Sequence, residues 1–179
     1  MITDTLRQQH QEILKMLDRP ELAAELIHFV ESVHHPLEEK DLFPFLDKQK
    51  CLSAGGPKCS FFMGLRLEMD PLGGMKRNLE KFFAKTVFRP QPYPTLPWMT
   101  AQSPLSVPFE EHAVGAELAQ CLLFLLKPEN KELHTEFFSG IYNDYCRLLK
   151  MHIDKEDHCL FIIFEQAVRT TGSGPVAGI

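Results

Sequence analysis

HHPLEEKDLF, residues 34–43, and HIDKEDHCLF, residues 152–161, share one pattern, H-x-x-x-E-[ED]-x-x-L-F. His34/Glu38 and His152/Glu156 are each four residues apart, so each pair falls on one helix face, about 5–6 Å apart at Cβ. At that separation an imidazole nitrogen and a carboxylate oxygen reach a common metal. One such pair is ordinary on a helix surface. Two in matching apolar contexts point to two helices facing one another across a metal centre.

Outward from the two motifs, apolar residues recur at helical spacing. Leu6, His10, Ile13, Leu14 and Leu17 define a first helix over residues 4–17. Asp18 and Pro20 open a second that runs to about Lys48, with Pro36 placed to kink it beside His34. Ser106 and Pro108 open a third that Pro128 ends. A fourth runs from Asn130 to about Val168, with Gly140 as a candidate break. No stretch alternates with period two long enough to demand a strand. The expected class is all-α, an up-down four-helix bundle, forming a single domain over residues 1–168.

Residues 49–107 interrupt this bundle between helices 2 and 3 with seven of the 13 prolines and the only tryptophan, Trp98. Phe61, Phe62, Leu65, Leu67, Phe82, Phe83, Phe88 and Trp98 need burial, so the insertion is expected as an ordered cap. MKRNLEKFFAKTVF, residues 75–88, fits a short amphipathic helix. The insertion is expected to act as a lid that controls access to the site, with a structural cap or a surface for a protein partner or a second copy as the alternative. Cys59, beside Lys58, is its one candidate reactive thiol. Residues 169–179 are expected as a mobile tail.

Of 179 residues, 44% are hydrophobic and 24% charged, the balance of a globular protein. A net charge of -5 argues against nucleic acid as a partner, and no run approaches the roughly 18 apolar residues of a membrane span. The N-terminus lacks the apolar core of a signal peptide. Five scattered cysteines suit a reduced, cytoplasmic setting better than a disulfide framework.

Eight histidines carry the specificity. His34 is preferred to His35, which shares a polar stripe with His28, Glu31 and Glu39 and reads as solvated surface. His152 and Glu156 continue the apolar stripe of Ile141, Tyr145 and Leu149, where a carboxylate needs a partner or a metal. Asp157 is the fallback carboxylate. His10 has no carboxylate partner on its helix, and His112 stands among Ala113, Gly115 and Ala116, which leave room for a metal or ligand. His28, His134 and His158 read as surface. Four imidazoles and two carboxylates drawn from four helices make a dinuclear complement, suited to iron with zinc and manganese as alternatives. The ferritin-like arrangement needs Glu-x-x-His motifs and does not match.

These residues resemble the hemerythrin-like, or HHE cation-binding, proteins over residues 1–48 and 106–168. The resemblance implies a four-helix bundle with two non-haem iron ions, oxo- or hydroxo-bridged. It implies His10, His34, Glu38, His112, His152 and Glu156 as ligands, with Glu38 and Glu156 bridging. Ala116 stands where oxygen carriers of the family have a further histidine, so one iron is expected to be short of a protein ligand. The site then resembles the iron–sulfur-repair and nitrosative-stress branch. The implied function is binding or reduction of a small oxidant: dioxygen, peroxide or nitric oxide. Iron or redox sensing is the alternative, and a metal-free helical interaction module the third. The residues do not decide between binding and turnover.

Overall fold

The computed structural model describes residues 1–49, 71–100 and 103–172. Among them the chain is all-helical, with five helices and no strand. Helix α1 is Ile2–Met16. Helix α2 covers residues 23–49 after a 3-10 turn at Pro20–Leu22. Helix α3 is Pro71–Lys85 and α4 is Ser106–Leu125. Helix α5 covers residues 131–171 and passes through Gly140 without a break.

Local chemistry closes the helix ends. The Asn130 side-chain amide donates to the Phe124 carbonyl at 2.7 Å, satisfying one of the orphan acceptors at the end of α4. Gly172 ends α5 in the left-handed conformation (φ 67°), and its N–H donates to the Val168 carbonyl at 2.9 Å. The helix therefore includes Arg169–Thr171, which the sequence reading gave to the tail; residues 173–179 lie outside the described residues.

Helices α2 and α5 are not uniform. α2 contains two π turns, Val30–His34 and Glu38–Leu42, and α5 contains one, Glu156–Leu160. Each closes with a bond spanning five residues: His35 N–H to Val30, Phe43 N–H to Glu38, and Phe161 N–H to Glu156. Pro36 follows the first π turn. It has no N–H for the Ser32 carbonyl, and its ring would press on that carbonyl in a regular α-turn. A widened turn of this kind is rare and, where it occurs, is frequently at a functional site. The irregularity expected at Pro36 thus takes the form of extra residues in the turn.

The core divides into two apolar clusters. One contains Ile13, Val30, Val114 and Ile153, the other Leu6, Leu42, Leu105 and Leu160. On α1, α2 and α5, the motif histidines and glutamates fall between residues of the two clusters, and on α4 His112 lies between Leu105 and Val114. A polar layer is therefore built into the middle of the apolar interior.

Helix α3 matches the amphipathic helix expected within the insertion. Leu72, Met75, Leu79 and Phe82 are buried in the first cluster, and the helix packs on α4 and α5. This part of the insertion is core rather than a detachable lid. Trp98 packs against the second cluster. Phe61, Phe62, Leu65, Leu67, Cys51, Lys58 and Cys59 lie outside the described residues.

Cys121 and Cys146 are free and buried, whereas Cys159 is disulfide-bonded, a departure from the expected fully reduced set. No helix among the described residues is long and apolar enough to cross a membrane.

Truncating Phe82 to alanine should cost about 3–5 kcal/mol, as for a fully buried aromatic side chain. Chemical denaturation followed by circular dichroism measures this. A loss below about 1 kcal/mol would show that α3 is not integral to the core.

Candidate metal centre

Seven side chains meet in the polar layer. His35, Glu38, His112 and His152 form one group, and His10, His34, Glu38 and Glu156 a second, each offering ligand atoms within 4.8 Å of one another. Glu38 belongs to both. All six residues expected from the sequence are buried here and converge.

The seventh is His35, which the sequence reading placed on a solvated face. It is only 2% exposed, while Val33, counted with the apolar side, is 42% exposed. The π turn is the reason. At 3.6 residues per turn His35 would point about 140° away from buried Val30. The turn that closes over five residues instead brings His34 and His35 to either side of that direction. The His35 ring stacks on His112 with centroids 3.8 Å apart. It also comes within 4.0 Å of the Cβ position at Gly115. The room left by Gly115 on α4 is thus taken in part by an imidazole.

The two halves of the layer repeat each other's contacts. His10 Nε2 lies 3.3 Å from Glu156 Oε2, and His112 Nε2 lies 3.3 Å from Glu38 Oε2. The residue after each motif glutamate holds the opposite lone histidine: Asp157 accepts from His10 Nδ1 at 2.9 Å, and Glu39 from His112 Nδ1 at 2.8 Å. The residue before each lone histidine holds the motif histidine: Gln9 accepts from His34 Nδ1 at 3.0 Å, and Glu111 from His152 Nδ1 at 3.1 Å. Phe161 stacks on His10 and Phe43 on His112, with centroids 5.3 and 5.4 Å apart. Two differences break the repeat. His35 has Ile153 as its counterpart, and neutral Gln9 stands opposite charged Glu111, which Lys155 pairs.

Gln9, Glu39, Glu111 and Asp157 therefore direct the Nδ1 hydrogens outward and leave the Nε2 lone pairs facing inward. This is the usual support behind metal-bound histidine. Of the four, only Asp157 was singled out from sequence, as a fallback ligand. Their positions next to each motif glutamate and each lone histidine carried the signal, once the internal repeat is read as three-dimensional.

The inward-facing atoms fit a cation. His10 Nε2, His34 Nε2, both ring nitrogens of His35 and both oxygens of Glu38 and Glu156 are buried without a hydrogen-bond partner. Buried polar atoms left unsatisfied are rare and costly. Glu31 Oε1 lies 3.7 Å from His35 Nδ1, too far for a hydrogen bond. His112 Nε2 and His152 Nε2 are 3.1 Å apart. With both Nδ1 atoms donating outward, that contact needs a proton or a metal ion between two lone pairs.

Electrostatics express the same demand. Burial and the charge of Glu156 push Glu38 up to about 8. For Glu156, burial pulls upward but the nearby His152 and His10 outweigh it and hold the carboxyl low. Burial opposes charge on His10, yet the bond to Asp157 and the nearby negative charge of Glu156 raise it to about 9. Burial and neighbouring imidazoles hold His34 and His112 well below the usual histidine range. For His152, burial is outweighed by Glu156 and Glu38, and its pKa is raised.

Metal uptake near pH 7 should release protons, because His10 near 9 and Glu38 near 8 both hold theirs in the absence of a cation. Both values are raised above those of the unfolded chain, so their stabilisation is complete at low pH. The Glu38 contribution is lost as pH rises from the ordinary carboxyl range to about 8, and the His10 contribution as it rises from about 6.5 to about 9. Apparent metal affinity should therefore increase from pH 7 to 9. Titration of weakly buffered protein with a divalent metal and a pH indicator checks this. Uptake without proton release would contradict the assigned protonation.

No family model, curated protein or solved structure matches the chain.

Proposed function

We propose that the chain is a non-haem di-iron protein of hemerythrin-like type, an up-down four-helix bundle that binds or reduces a small oxidant such as dioxygen, peroxide or nitric oxide. The observation that carries this reading is the set of orphaned Nε2 and carboxylate atoms converging in a buried layer, with Nδ1 hydrogens directed outward. Imidazole and carboxylate donors together suit iron. The pseudo-symmetric halves, sharing Glu38, supply donors for two ions.

His35, His112 and His152 would hold one iron, His10 and His34 the other. Glu38, which belongs to both groups, would be shared between them, and Glu156 lies 3.3 Å from both His10 and His152. The irons would supply redox capacity and positions for a small ligand. The residues hold the imidazoles in one tautomer, keep bulk water out of a layer bounded by Phe43 and Phe161, and carry negative charge against the metal. With His35 beside His112, an ion at His10 and His34 would have fewer nitrogen donors, and a small exogenous ligand would bind on that side. Ala116 no longer marks the open position.

Loaded anaerobically with iron(II) and mixed with dioxygen, hydrogen peroxide or nitric oxide, the protein should show new absorption bands with at least one of them. No spectral change with any of the three would refute the reading. In metal competition titrations, His35→Ala should weaken one ion and His34→Ala the other, while Glu38→Ala weakens both. Retention of both ions by His35→Ala at unchanged affinity would return His35 to a purely structural role.

A further inference from the structure

Residues 86–100 carry no regular secondary structure, and 89–98, RPQPYPTLPW, contain Pro90, Pro92, Pro94 and Pro97. Their fixed φ angles make this strap stiff before it packs. It is fastened along its length. Phe88 stacks on Phe124 with centroids 4.5 Å apart. The Gln91 N–H donates to Gln120 Oε1 at 2.7 Å, and Gln120 Nε2 donates to the Gln91 carbonyl at 3.2 Å. The Tyr93 ring meets Phe109 edge-on at 5.5 Å. Beyond that ring, the Tyr93 hydroxyl donates to Glu39 Oε1, the same oxygen that accepts His112 Nδ1–H at 2.8 Å.

We propose that Tyr93 is a positioning residue of the metal centre: its hydroxyl fixes Glu39, and through Glu39 the tautomer and orientation of His112. The repeat in the site isolates this role. Asp157, the counterpart of Glu39, has Arg7 Nε at 3.9 Å in place of a phenol. Among the described residues, the strap's hydrogen bond to an Nδ1 acceptor is therefore on the His112 half. A Glu39 carboxylate without the phenol has one donor fewer at Oε1 and is free to turn toward water, which loosens the Nδ1 bond that aims His112 Nε2 inward. The linkage runs both ways. A cation on His112 Nε2 makes Nδ1–H a stronger donor, tightens its bond to Glu39, and so favours the docked strap. Strap docking and occupancy of the His112 half rise and fall together, which makes the strap a structural reporter of whether the centre is filled. This rests on the reading of the layer as a metal site.

Tyr93→Phe tests it, because the ring that packs on Phe109 remains and only the hydroxyl is removed. The full-length protein is titrated with cobalt(II) against a competing chelator, and the exchangeable Nδ1–H resonances of its histidines are followed by proton NMR. The expected result is a 10–100-fold weaker affinity for the ion on the His112 side, the range for loss of an outer hydrogen-bonding partner. The His112 resonance should shift and exchange faster with solvent, while that of His10 is unchanged. Amide exchange in residues 86–100 should slow on cobalt loading in the wild type and slow less in the variant. Wild-type affinity with an unmoved His112 resonance would overturn the proposal, and so would equal changes at His10 and His112, which mark general loosening. If the wild-type protein takes up no cobalt, the metal reading itself fails, and the role of Tyr93 falls with it before the variant is compared.

Discussion

Two carboxylates and five imidazoles buried in one layer, with their inward atoms facing each other, set the terms for everything around them. Taking such groups out of water costs several kcal/mol each unless charge and hydrogen bonds are matched. The chain matches only the outward side: Asp157, Glu39, Gln9 and Glu111 take the Nδ1 hydrogens. The inward side is left with atoms that could hold a cation. Glu38 and Glu156 are both fully buried, and their mutual repulsion opposes ionisation of both carboxyls at once.

The fold is arranged to supply that layer from four directions. The apolar core is divided in two, and helices α1, α2, α4 and α5 each cross the division where their ligand-type residues lie. Regular α-helical turns alone would not present so many inward groups. The π turns at Val30–His34, Glu38–Leu42 and Glu156–Leu160 add a residue to the inward face at each motif. They let His34 and His35 both face the centre, and they bring Phe43 and Phe161 onto the rings of His112 and His10. The same irregularity appears at the same place in both motifs, after each glutamate, so it belongs to the construction of the site.

Much of this was legible in the sequence for a physical reason: a ligand pair four residues apart and an apolar stripe at helical spacing are both local patterns. His34/Glu38, His152/Glu156, the helical class and the short helix within the insertion followed from them. His35 falls on the solvated face at 3.6 residues per turn, but the turn in that segment is wider. The outer partners were missed for a different reason. Glu39 faces His112 from 73 residues away and Glu111 faces His152 from 41, and such pairs arise only when helices pack. Tyr93 illustrates the limit further, since nothing in RPQPYPTLPW announces that one phenol reaches a carboxylate on α2. The insertion was read as one cap, yet α3 is part of the core while the strap lies against the site.

The most direct test of a two-cation layer is the crystal structure of the iron-loaded protein, with anomalous scattering recorded on both sides of the iron edge. The account predicts two anomalous peaks per chain, one among His35, Glu38, His112 and His152 and one among His10, His34, Glu38 and Glu156, with the His112 and His152 rings no longer in direct nitrogen contact. A layer that stays free of iron at saturating metal, with that ring contact intact, would contradict it.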